Sequence, residues 1–442
     1  MPDHARSADP TVQAQLDRLW ALSPGADVLG LERITRLLAR LGDPHHHLPP
    51  VFHVAGTNGK GSTCAFLRGA LEAAGYRVHA YTSPHLVRFN ERIRLSGTLI
   101  DDPALAALLA EVLDVSGDIG ASFFEVTTAA AFLGFVRTPA DACVIEVGLG
   151  GRLDATNVLP TAAACGIAAL GLDHEAFLGN TLPLIAREKA GIAKRDVPLV
   201  TMSYPAEIAS VIAAEAAERG AILQVQGEAW DAIRQHETLR YCDVQGSMTL
   251  PLPRLHGSHQ ADNLALAAAM LRHQRTLDVL DDALAIAAQR TFWPARLQRL
   301  SSGPLVDLGP RNAPVWLDGG HNASAGEALA RALPQLGVTD DLTLILGMLA
   351  NKDAVGFLRP LAPLLKRVVG VSVPDHAAHS PAALVAVARE LGVTETDEAD
   401  GVTHAMEIVS RTTGAVTKSP VLIAGSLYLA GAVLALNDEL PR

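Results

Sequence analysis

The stretch Val51–Thr63, VFHVAGTNGKGST, constrains this chain more than any other segment of its length. A β-branched, apolar run stops at Gly56. Three glycines then surround Lys60, and Ser62 opens an amphipathic segment. The pattern predicts a strand, a glycine-rich turn and a helix start in succession. Glycine lacks a Cβ, so such a turn brings bare amide N–H groups up to an anion, and the helix N-terminus adds its partial positive charge. Asn58, Gly59, Lys60, Gly61 and Ser62 are therefore the expected nucleotide-phosphate cradle, with Lys60 reaching the outer phosphates. The spacing departs from the standard P-loop, because Gly61 stands where Ser or Thr is usual.

Strand-like runs follow at Val78–Thr82, Ala142–Val147, Ala163–Ala168, Leu199–Met202 and Ile222–Val225. Helical spacing is expected over Leu29–Leu41, Thr63–Ala74, Phe124–Val136, Leu184–Ala193 and Ala206–Arg219. Alternation of this kind predicts a parallel sheet covered on both faces, with ligands at the carboxyl ends of its strands. A second series begins after Trp293–Arg296, with strands at Val315–Leu317, Leu342–Leu346, Val368–Val373 and Val421–Ala424 but no phosphate loop. Residues 1–296 and 297–442 are thus expected to form a larger and a smaller α/β domain, with a site between them. His45-His46-His47 lies between prolines and is expected to be a solvated loop.

Composition narrows the partners. The formal net charge of −11 argues against a protein that coats nucleic acid. No uninterrupted apolar run approaches the ~20 residues of a membrane helix, and Met1–Pro10 has no signal-like apolar core. Four cysteines without C-x-x-C spacing suit a reducing, cytoplasmic setting.

The residues with chemistry lie where strands end. Ser83, in Thr82-Ser83-Pro84-His85, is either a turn serine or an oxygen ligand for Mg²⁺. Glu146 closes a run of Val and Ile, where a carboxylate must be paired or bound to a cation. It leads into Gly148–Asn157 (GLGGRLDATN), a ligand-facing loop. Asp173-His174 follows another strand, and Lys189 sits in a helix that closes at Gly191.

Together these stretches resemble the folylpolyglutamate synthase/dihydrofolate synthase family of the wider Mur ligase group. The resemblance rests on Leu29–Arg33 (LGLER), Val54–Ser62, Ser83–Ile93, Glu146–Asn157, Asp173–Gly179, Glu188–Ile192 and Asp318–Asn322 (DGGHN). It implies a P-loop ATPase-like N-terminal domain, a smaller Rossmann-like C-terminal domain that handles glutamate, and a monomer. The implied activity is an ATP-dependent ligase that turns the carboxylate of dihydropteroate, and of reduced folates, into an acyl phosphate and couples it to L-glutamate. Mg²⁺ on Ser83 and Glu146 is implied, with a second ion on His174 and a carbamylated Lys189. The resemblance further assigns Lys60, His174 and Lys189 to catalysis. It assigns Asn263, Arg296, Asp318 and His321 to the nucleotide, and Leu29, Gly30, Leu31, Ser122, Leu153, Asp154 and Ala155 to the pterin. Gly320 and Asn351 depart from the family pattern, and Asn351 removes an acidic charge before Lys352. The competing readings are a synthase restricted to folate polyglutamylation and a P-loop phosphotransferase. The second leaves Glu146–Asn157 and Lys189 unexplained.

Overall fold

The computed structural model describes residues 6–22, 29–413 and 418–441. Residues 1–5 of the Met1–Pro10 stretch lie outside them. The chain divides into two compact units, one running to Arg254 and resuming over Gln260–Phe292, the other comprising Leu255–His259 and Trp293–Arg442.

The first unit is built on an eight-stranded sheet. Its strands are β1 (Val51–Ala55), β2 (Val78–Tyr81), β3 (Ile93–Leu95), β4 (Thr98–Leu99), β5 (Ala142–Glu146), β6 (Ala164–Ile167), β7 (Pro198–Thr201) and β8 (Ile222–Val225). Their order is β4-β3-β2-β5-β1-β6-β7-β8. All neighbours from β2 to β8 are parallel, and β3 and β4 join antiparallel. β1 and β5 are buried at every residue, as strands covered on both faces must be. The Phe123–Arg137 helix is buried almost throughout because its sequence is apolar on every side.

The helix after the glycine turn spans Lys60–Ala73, so it starts ahead of the Thr63–Ala74 periodicity. Lys60, Gly61 and Ser62 form its first turn. They carry no apolar stripe, which is why the pattern missed them. The Leu29–Leu41 periodicity contracts to a Glu32–Arg40 helix that buries Ile34, Leu37 and Leu38. The solvated-loop expectation holds for His46 and His47, which are exposed, and fails at His45, which is buried in a 3-10 turn over Pro44–His46.

Three strands, β9 (Trp230–Gln235), β10 (Thr238–Asp243) and β11 (Gly246–Pro251), form an antiparallel sheet that the sequence reading did not anticipate. Leu239, Tyr241, Met248 and Leu250 face inward between polar neighbours. The second unit holds β12 (Gln298–Arg299), β13 (Val315–Leu317), β14 (Leu342–Leu346), β15 (Leu365–Val371), β16 (Glu395–Ala399) and β17 (Val421–Ala424). They form one sheet in the order β12-β13-β17-β14-β15-β16, parallel except at β12.

Strand order positions the site. β2, β5, β1 and β6 are consecutive neighbours, so the loops leaving their carboxyl ends lie side by side. Those loops carry Ser83, Glu146, Gly56–Lys60 and Asp173-His174.

Candidate active site

Gly59 is required at the turn into the Lys60–Ala73 helix. Its φ is 84°, a left-handed conformation, and an added Cβ would stand 2.3 Å from Asn263 Oδ1. Asn263 is buried on the Ser258–His273 helix and donates from Nδ2 to Gln260 Oε1 at 3.1 Å. The loop is held from the far side by Thr57 N and Asn58 N, which donate to Ala169 O at 2.9 and 3.1 Å. Lys60 Nζ donates to Gly56 O at 3.1 Å and to Thr57 O at 3.3 Å. In the first turn the hydroxyls of Ser62 and Thr63 are buried without a hydrogen-bond partner. Each such group costs roughly 1–3 kcal/mol, so two adjacent ones beside a glycine cradle fit a site built to receive polar oxygens.

Glu146 ends β5 and is only 5% exposed. Its Oε2 accepts from Ser83 N at 3.4 Å, so the backbone of the β2 loop meets the carboxylate at the end of β5. Burial first, then the Glu146 charge, push the Cys64 thiol up, while Lys60 pulls it down. Both charges therefore reach the same turn of the phosphate-loop helix. Among the described residues no group of three or more His, Cys, Asp or Glu could hold a metal. Glu146 with the Ser83 hydroxyl instead suits a hard cation that takes its other oxygens from phosphate and water.

Lys189 is 4% exposed, and its Nζ donates to Gly56 O at 2.9 Å. Burial, reinforced by the Lys60 charge and opposed by Asp173 and Asp154, pulls its amine down to about 7. His174 is exposed and left-handed, at φ 52°, where it starts the short Glu175–Leu178 helix. Asp173, its chain neighbour, is one of the two carboxylates, with Asp154, whose charge raises the Lys189 amine.

The residues assigned to the pterin fall into two groups. Ser122 caps the Phe123–Arg137 helix: its hydroxyl accepts from Glu125 N, and its own N–H donates to Glu125 Oε2 at 2.7 Å. Glu125 also accepts from Arg33 Nε at 3.0 Å, which ties the Leu29, Gly30 and Leu31 segment to Ser122. In the Gly148–Asn157 loop, Asp154 accepts from Leu149 N, Thr156 N and Thr156 Oγ1 at 2.7, 3.0 and 2.5 Å. That carboxylate is largely spent on its own loop, between Leu153 and Ala155. In the second unit Asp318 accepts from Leu297 N and Gly320 N, both at 2.7 Å. Arg296 donates from Nη1 to Ala295 O at 2.9 Å, and Gly319 N donates to the same oxygen. His321 Nδ1 lies 2.9 Å from Gly319 O.

Residues 305–436 match the family described as dihydrofolate synthetase, C-terminal domain. Dihydrofolate synthetase of Saccharomyces cerevisiae is 32% identical over 426 residues, which are 93% of this chain and 98% of that protein. The chain belongs to the dihydrofolate synthase/folylpolyglutamate synthase family. Escherichia coli FolC in complex with DHPP and ADP superposes on this family member with a TM-score of 0.87 at 33% identity, covering 98% of each chain. A bifunctional folylpolyglutamate synthase/dihydrofolate synthase with Mn, AMPPNP and L-glutamate bound gives 0.83 at 30% identity, covering 98% of this chain and 99% of that one.

Within this synthase-family fold, the structure gathers Asn58–Ser62, Asn263, Ser83, Glu146 and Lys189 around the carboxyl ends of β1, β2 and β5. Arg296, Asp318 and His321 form a separate group in the second unit. Two residues beside the site escaped the sequence reading. Thr63 is the second orphaned hydroxyl, hidden because it reads as an ordinary helix residue. Phe124 is half-buried, and its ring would stand 2.3 Å from a Cβ on Gly148. Phe123 is buried in the core, whereas Phe124 packs against that core only in part, with its ring 5.9 Å from that of Tyr81.

Proposed function

We propose that this family member is an ATP-dependent ligase that forms an amide between the carboxylate of 7,8-dihydropteroate, or of a reduced folate, and L-glutamate. Family membership gives the reaction class. The observation that carries the residue assignment is the convergence of Lys60, Glu146, Ser83 and Lys189 on adjacent strand ends.

The pterin carboxylate oxygen attacks the γ-phosphorus of ATP, ADP leaves, and an acyl phosphate forms. The glutamate amine then attacks the acyl carbon, loses its proton, and expels phosphate as the amide forms. Both steps bring anions together, so the protein's task is neutralisation and alignment. Lys60 and the helix amides hold phosphate oxygens at one end. The Ser62 and Thr63 hydroxyls supply donors beside them. Ser83 and Glu146 would hold Mg²⁺, which when bound supplies charge neutralisation across the phosphate oxygens.

Lys189 has a further part. An amine pulled to about 7 is substantially neutral at neutral pH, which is the form that takes up CO₂. As a carbamate it would offer anionic oxygen to a second divalent ion together with His174. Asn263, Arg296, Asp318 and His321 are assigned to the nucleotide, and Leu29–Leu31, Ser122 and Leu153–Ala155 to the pterin. The half-buried Phe124 ring adds an aromatic face beside them. We assign a monomeric, cytoplasmic enzyme.

The test is ADP release and product formation with a panel of pteroates and folates. Turnover is expected only when both a pterin carboxylate and glutamate are present. ADP release indifferent to both would overturn the ligase reading. Turnover with folates but none with dihydropteroate would restrict it to polyglutamylation.

A further inference from the structure

The Leu182–Ala190 helix ends beside the loop that follows β5, and the contacts between them are backbone-close. A Cβ on Gly151 would stand 2.7 Å from Glu188 O and 3.0 Å from Lys189 Cα. A Cβ on Gly191 would stand 2.4 Å from Arg152 Cβ. Neither glycine leaves room for a side chain, so the two segments are in register by steric contact.

The polar contacts at this junction follow the same line. Arg152 N donates to Glu188 O at 2.7 Å, satisfying one of the carbonyls that a helix C-terminus leaves orphaned. The Arg152 guanidinium meets Glu188 Oε1 at 2.8 and 3.1 Å. Asn157 Nδ2 donates both to Arg152 O at 3.0 Å and to Gly191 O at 3.1 Å, and its Oδ1 accepts from Lys194 Nζ at 2.9 Å. One side chain thus bridges the loop and the residues just past Lys189. The loop is anchored in turn to β1, because His53 Nε2 lies 2.9 Å from Thr156 Oγ1 and Thr156 donates to Asp154.

We infer that Gly148–Asn157 works as a clamp on the last turn of the Leu182–Ala190 helix, with Arg152 and Asn157 as positioning residues that fix Lys189 against the phosphate loop. The backbone of Lys189 is held by the loop after β5, and its amine by Gly56 in the loop after β1. Gly148–Asn157 then has a task besides facing a ligand: it sets the distance between Lys189 and Lys60. The effect on turnover rests on the ligase reading above, whereas the packing does not.

The experiment is a charge swap in the full chain: Arg152→Glu, Glu188→Arg and the double variant. kcat and the pterin KM are measured, together with hydrogen exchange of the amides at 188–193. Each single variant should lower kcat about tenfold, short of the ~100-fold that an ångström of misplacement costs, with a smaller change in the pterin KM, since Leu153–Ala155 share the loop, and with exchange accelerated. The double variant should recover most of kcat and the slow exchange. Asn157→Ala should accelerate the same amides. A double variant no better than the singles, or a loss carried by the pterin KM, overturns the clamp and makes Arg152 a substrate contact. Unchanged exchange in all variants overturns it as well. Absence of ligase turnover in the wild type, with exchange responding as expected, sinks the functional reading and leaves the clamp standing.

Discussion

Lys60 and Lys189 both donate to the carbonyl oxygen of Gly56, at 3.1 and 2.9 Å. Burial, reinforced by the nearby Lys60 charge, pulls the Lys189 amine down to about 7. Their substitutions should therefore fail differently. Lys60→Ala should lower kcat by about 100- to 1000-fold, the usual cost of removing a preorganised charge stabiliser, with the thermal midpoint little changed; turnover at the wild-type rate would contradict the phosphate role. Lys189→Ala should be inactive but partly restored by acetate, which can stand in for carbamate oxygen. Full activity without any additive would remove the carbamate. A third residue answers to pH. His53 is fully buried, and desolvation, aided by the Lys194 charge, pulls it from 6.5 down to about 3. Between those values the unfolded chain binds a proton that the folded chain does not, so stability falls as pH drops from about 6.5, by roughly 1.4 kcal/mol per unit. His53→Gln keeps a donor for Thr156 and removes the titration. Urea unfolding at pH 7 and pH 5 should show a shallower acid loss in the variant, and an identical loss in both proteins would refute the assignment.

At the scale of elements, what the sequence shows depends on whether the cause is local. β1, β13, β14 and β17 coincide with apolar, β-branched runs because a strand buried on both faces must be apolar along its length. The Lys60–Ala73 helix starts ahead of its periodicity because its first residues, Lys60, Gly61 and Ser62, carry no apolar side chain. β9–β11 were not read because alternating short strands between turns leave only a weak pattern. The site divides in the same way. Gly56–Ser62 is contiguous and therefore legible, but the Lys189 bond to Gly56 joins residues far apart in the chain, and no local pattern encodes it. Likewise the capping role of Ser122 and the saturation of Asp154 emerge only from their partners. The Gly59 turn offers the sharpest test at this scale. Gly59→Ala places a Cβ in a left-handed residue, at a cost of roughly 1–2 kcal/mol, and against Asn263 Oδ1. The variant should melt several degrees lower and bind nucleotide more weakly, both measurable by thermal unfolding with and without ADP. A variant that keeps its nucleotide response would show the turn to be less constrained than its geometry states.

Across the whole molecule, stability and metal dependence should come apart. The cores are large and apolar, one centred on Leu37, Phe89, Phe132 and Ile145, another on Leu344, Phe357, Val368 and Leu422. Among the described residues no cluster of three or more His, Cys, Asp or Glu side chains could hold a metal ion. An ion held by Glu146 and Ser83 would need its remaining oxygens from phosphate and water. Its affinity therefore depends on nucleotide. Chelation should abolish ADP release while leaving the melting temperature of the free protein within about a degree. Mg²⁺ alone should leave that temperature unchanged as well. Mg²⁺ with a non-hydrolysable ATP analogue should raise it, because a ligand at a hundred times its Kd stabilises the native state by about 2.7 kcal/mol. These melts, with a fifth in analogue and chelator, are compared at one protein concentration, with Lys60→Ala as the control in which the joint effect should shrink. A melting temperature that collapses on chelation would mean that the metal builds the fold. A nucleotide response independent of metal would mean that Glu146 and Ser83 do not hold the ion that bridges the phosphates.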